Sequence, residues 1–105
     1  MSKKSDTEIA QEFARTEHDS LAQAELGFFE TELAAIKTLS DVAETRYAMG
    51  FTEDAHRAKQ QALDGIRTVR QFLEKAHLIA PEKISAIADR CDALQLLVNG
   101  VGATK

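Results

Sequence analysis

The chain has one cysteine, one proline, one tyrosine and no tryptophan in 105 residues, and each scarcity closes a route. A lone Cys91 can form no internal disulfide and has no second thiolate with which to hold a metal, which excludes a disulfide-stapled scaffold and a zinc finger. Five glycines and 6% aromatic residues fall short of the turn density and ring content of an all-β domain. No stretch nears the ~18 apolar residues that span a bilayer. The run from Leu94 to Val98 is short and broken by Gln95. The opening Met-Ser-Lys-Lys-Ser-Asp has neither the apolar segment nor the small-residue cleavage site of a secretory signal, so a cytoplasmic location with no membrane contact is expected. Phosphate loops, nucleophile elbows, zincin helices and dinucleotide fingerprints are all missing. The expectation is therefore a protein that is not an enzyme, with no catalytic, cofactor-binding or metal-ligating residue assigned and no cofactor.

What is present points to helices. Apolar residues make up 44% of the chain and charged residues 29%, a composition that folds, and the length suits a single domain over 1–105. Breakers at Gly50, Pro81 and Asn99-Gly100 cut it into pieces of helical length. The expected fold is all-α: a bundle of four helices, or five, packed antiparallel or as a repeat-like stack, with helices over 6–38, 41–49, 53–78 and 81–98 and a frayed tail over 101–105.

The first helix should open at Ser5, with Glu8 in capping-box spacing. Ala22, Leu26, Phe29, Leu33 and Ile36 recur on one face, widened by Leu21 and Phe28. Ile9 and Phe13 lie a third to a half of a turn off that stripe, and the polar run from Arg15 to Ser20 between the two sets suggests a break there. Ser40 is a candidate cap for a short second helix ending at Gly50, and Thr52 for the next one. The strongest periodicity follows: Ala55, Ala58, Ala62, Ile66, Val69, Leu73 and Ala76 hold one face. Its small residues come first and admit a close neighbour near Gly50, and Gly65 allows a bend. Pro81 suits a first helical turn. Ile84, Ile87, Ala88, Cys91, Leu94 and Val98 then form a stripe, with Asn99-Gly100 as its left-handed stop.

Charge is segregated. Eight acidic residues lie between Asp6 and Glu32 against Arg15 alone, whereas Arg57 to Lys75 holds five bases against Asp64 and Glu74. The expectation is that Lys59, Arg67 and Arg70 flank the apolar stripe and meet the acidic first helix in weak exposed pairs.

Several residues invite chemistry. Glu53-x-x-His56 and Glu74-x-x-His77 have the Glu-x-x-His spacing of di-iron bundles. Yet His56 falls outside the apolar stripe, and the two pairs lie ~32 Å apart along one helix at ~1.5 Å per residue, so the simpler reading is solvated surface. His18, between Glu17 and Asp19, reads as a hydrated surface group, and Cys91 as a core residue. A net charge of -4 disfavours nucleic acid, which is bound chiefly by neutralising phosphates. Of the adjacent Phe28 and Phe29, one can face a partner. Phe51 should pack beneath the hairpin as a staple.

Tyr47 to Leu63, with Gly50, Ala55, Ala62 and Leu63 in register, resembles the middle of a tetratricopeptide repeat. Arg67 stands where that family places a helix-ending proline, and a second copy of the pattern is not visible. The resemblance implies an antiparallel helical hairpin and a protein-binding role. The expected function is a non-enzymatic protein–protein interaction or oligomerisation module whose partner is another protein or itself. The alternatives are a small helical regulator of nucleic acid or of a nucleic-acid-binding protein, and a metal-binding bundle assembled between subunits.

Overall fold

The computed structural model describes residues 6–103, without the side chains of Asp6, Thr7 and Phe13. The expected cap at Ser5 and the last two tail residues lie outside them. Three α-helices occupy nearly all of this span: α1 (Asp6–Ala48), α2 (Thr52–Lys75) and α3 (Pro81–Gly100). The all-α class is as expected; the count of four or five helices is not. Helix α1 runs unbroken for 43 residues. Its polar segment contains neither proline nor glycine, so polarity changes which face is apolar without ending the helix. Thr16 Oγ1 donates locally to the Glu12 carbonyl at 2.9 Å. Ser40 is no cap either. It sits mid-helix, fully buried, with an Oγ that meets no hydrogen-bond partner.

The turn after α1 follows from Gly50, whose φ of 84° is cheap only for glycine. Gly50 N–H donates to the Tyr47 carbonyl at 3.1 Å and Phe51 N–H to the Arg46 carbonyl at 2.8 Å, the paired bonds of a Schellman ending. Phe51 also becomes the N-cap of α2, its carbonyl accepting from Ala55 N–H at 2.9 Å. Thr52 is thus already helical rather than the cap. Phe51 stays 53% exposed instead of stapling the hairpin, because a staple uses the residue before the N-cap and Phe51 is itself the N-cap.

Helix α2 is continuous through Gly65. A Cβ there would stand 2.9 Å from Ile36 Cγ1, so glycine permits close approach of α1 rather than a bend. Pro81 opens α3 at its first turn. The stop comes later than Asn99-Gly100: α3 includes Gly100, Val101 caps it, and the left-handed residue is Gly102, with φ 75°. Nor is the tail wholly frayed. Val101 is buried with Ala43 and Ala58, flanked by Val42 and Tyr47.

The predicted stripes form the core. Phe29, Leu33 and Ile36 of α1 meet Ala62, Ile66 and Val69 of α2 and Ile87, Cys91 and Val98 of α3, with Ile79 closing one end. Near Gly50 the layer thins to Ala43, Ala55 and Ala58, each almost fully buried. Leu21 and Phe28 do not widen the core stripe: they are 57% and 36% exposed.

Helix α1 outruns its neighbours. At ~1.5 Å per residue it is ~65 Å long against ~36 Å for α2 and ~30 Å for α3, and the molecule measures 73 × 20 × 19 Å. Ala22 is the first residue of α1 packed against the core, and every described side chain from Glu8 to Leu21 is exposed.

Candidate functional site: the overhanging half of α1

The overhang has a physical cause in the sequence. Carried back at ~100° per residue, the face that buries Phe29 and Leu33 meets Gln11, Arg15, His18 and Asp19, which give α2 and α3 nothing apolar to cover. The apolar positions have moved round the helix. Ala10, Ala14, Leu21, Ala24 and Phe28, with Glu17 among them, follow alternating steps of four and three residues and are all exposed. Such spacing draws a single seam along an α-helix. Its bulky end continues onto α2, where the Phe72 ring lies edge-on to Phe28 with centroids 5.1 Å apart, Phe72 itself being 51% exposed. Beside the seam, Glu25 Oε1 is buried without a hydrogen-bond partner. Ile9, 47% exposed, stands apart and helps to line an open furrow of about 380 Å³ with Glu12, Thr16, Glu17 and Ser20.

The groups singled out for chemistry are dispersed. Glu53, Glu74, His18, His56 and His77 are all exposed. His56 Nδ1 pairs with the Tyr47 hydroxyl, their rings meeting edge-on at 5.2 Å between centroids, and His77 Nδ1 lies 3.2 Å from the Lys75 carbonyl. Among the described residues, His, Cys, Asp and Glu gather nowhere in a group of three able to hold a metal ion. Cys91 is fully buried. Burial pushes its thiol up, Arg70 pulls it down, Asp92 adds to the rise and Arg90 opposes it. A thiol so placed stays protonated and is a poor nucleophile.

Charge pairing departs from the expected match of α1 with α2. Arg70 reaches Asp92 of α3 at 3.0 Å and Arg67 turns to Asp64 of its own helix at 3.2 Å. Lys59 Nζ donates to the Val101 carbonyl at 2.7 Å, a cation placed at the negative end of α3. The bridge to α1 comes instead from α3: Arg90 Nη1 contacts both Glu30 carboxylate oxygens at 2.7 and 2.8 Å. Lys59 and Arg70 turn to α3 and its end because that helix lies beside them.

Other concavities are furrows between neighbouring elements. One of about 280 Å³ lies between α1 and the α2–α3 connection, lined by Asp19, Ala22, Leu26, Leu78, Ile79 and Lys83 among others. Among the described residues no helix is long and apolar enough to cross a membrane. Comparison with protein families, with curated proteins and with solved structures gave no match to this chain. The seam could have been found in the sequence by testing the 3–4 spacing of Ala10 to Phe28 separately from the core stripe, with which Leu21 and Phe28 were merged.

Proposed function

We propose that the chain is a non-enzymatic protein–protein interaction module, recruiting a partner through the overhanging half of α1. The observation that supports this reading is a helix that continues past the end of its own bundle while carrying an exposed apolar seam. An isolated helix of about 16 residues is marginal in water, so a partner that covers the seam adds the tertiary packing this half of α1 lacks. The closed core suits the same reading, because it fixes the base from which the overhang extends. Affinity would come from Leu21, Phe28 and Phe72 as apolar anchors, and the acidic residues beside them would govern which partners approach.

Amide hydrogen exchange tests the role of the overhang. Amides of residues 8–20 exchange quickly in the isolated, dilute chain and gain protection when the partner-bound state forms, whereas the amides of Leu33 and Val69 are already protected. A chain whose overhang gains no protection at high self-concentration or with any captured protein would end this reading.

A further inference from the structure

We infer that the occupant of the seam is a second copy of this chain, laid antiparallel so that each overhang rests in the α1–α2 groove of the other. This inference rests on the interaction reading above and names its partner. The seam is self-complementary in size only when reversed. Its first half carries small residues, Ala10 and Ala14, and its last half carries the bulky Leu21 and Phe28. Antiparallel pairing sets Ala10 against the partner's Phe28, Ala14 against the partner's Ala24 and Glu17 against the partner's Leu21, and the same contacts recur on the other side of the two-fold axis, as an isologous interface requires. Parallel pairing would stack Phe28 on its own copy and leave the alanines facing a gap.

Three further observations fit this register. Residues 6–13 of one copy would run beside the end of α2 in the other, where Phe72 is exposed and paired with Phe28, so the overhang covers both rings. Gln11 lies one position beyond Ala10 toward α2, and in antiparallel pairing it falls beside the partner's Glu25, half-buried at the edge of the seam, so that an amide rather than a like charge meets that carboxylate. Finally, the three acidic residues of that stretch, Asp6, Glu8 and Glu12, approach the end of α2 that carries Arg67, Arg70 and Lys75 with Glu74, where Arg67 and Arg70 already meet Asp64 and Asp92 in exposed pairs. Seam and groove together let an interface grow toward the ~1,200 Å² that a specific one needs, beyond what one helix face provides.

Sedimentation equilibrium of the full chain, with two sets of variants, tests this. The wild type should show twice the chain mass of 11.5 kDa. L21D, at an exposed site, should keep the helicity of the wild type and weaken the dimer about 100-fold, since it removes the apolar anchor of the central layer and sets each new carboxylate against the partner's Glu17, like charge facing like on both sides of the axis. L96D, on the 76% exposed Leu96 of α3 and away from the seam, should leave the dimer unchanged. For register, chains carrying A14C and chains carrying A24C should form a disulfide with each other and not with their own kind, because like positions stand ~15 Å apart along the axis; the native Cys91 is buried. A monomer at 200 µM, as an order-of-magnitude ceiling for weak self-association, overturns the inference, and so do a dimer that survives L21D and a disulfide between two A14C chains. A dimer formed elsewhere, or a monomer that holds a different protein through the overhang, removes this inference and leaves the interaction reading intact.

Discussion

Helix α1 is two regions under one hydrogen-bonded backbone. From Ala22 to Ala48 its apolar face is closed by α2 and α3, with Phe29, Leu33 and Ile36 each 1% exposed. From Glu8 to Leu21 every described side chain of the same helix is exposed. Helical propensity carries through both, so the backbone alone does not separate them. The difference lies in the phase of the apolar stripe, and the lesson is that a helix ends its packing where the stripe rotates, before it ends as a helix.

The sharpest break of this comparison is a matched pair of truncations. Ile36→Ala removes a fully buried side chain that also packs over Gly65 and should cost about 2–5 kcal/mol, read as a lower urea midpoint with the slope unchanged. Ile9→Ala in the overhang should change the same midpoint by less than ~0.5 kcal/mol. Equal losses would show that the overhang is as well packed as the bundle.

A second test concerns the bundle's far end. Gly102→Ala places a Cβ 2.5 Å from the Tyr47 ring at a φ of 75°, so about 1–2 kcal/mol of backbone cost adds to a displaced ring. Thermal melting should show the loss, and the chemical shifts of His56, the hydrogen-bond partner of Tyr47, should move with it. An unchanged melt would mean that Val101 and Tyr47 do not tie the chain's end to the bundle.

The third test is pH. Burial raises the Cys91 thiol, so in the folded state it remains protonated after the unfolded thiol has ionised. The unfolded state then binds fewer protons, and stability falls as pH rises above the ordinary thiol value of ~8.5, by at most ~1.4 kcal/mol per pH unit. Cys91→Ala should flatten that alkaline limb relative to the wild type in urea melts between pH 8 and 10, as a range chosen about the ordinary value. Parallel limbs in the two proteins would contradict the assignment. The smallest effect should come from Arg90→Ala. Its bridge to Glu30 is bidentate in oxygen contacts but about half exposed at both ends, so a double-mutant cycle should return ~0.2–1 kcal/mol that shrinks in salt.

Much of the fold was legible because core periodicity is local. The stripes from Ala55 to Val69 and from Ile87 to Val98 are read by counting residues, and they are the buried ones. Signals at helix ends were less reliable. Gly50 works as a stop because its positive φ is intrinsic to glycine, and Pro81 works as a start because its ring fixes φ. Ser40, Thr52 and Asn99-Gly100 are residues that can cap, but a cap forms only where the chain actually leaves the helix, and packing decided that it did not leave at Ser40. The seam was hidden in plain sequence because Leu21 and Phe28 lie close enough to the core stripe to be absorbed by it.

By itself the sequence determined that the chain is helical, where its hairpin turns at Gly50, and which side chains are greasy at helical spacing, since all three depend on bonds and contacts within a few residues. Only the tertiary structure decided that α1 is continuous, that Arg70 and Arg90 link neighbouring helices, and that one apolar stripe is covered while the other is bare. Those outcomes depend on which surfaces remain once the other helices have taken their places, and that competition involves residues far apart along the chain.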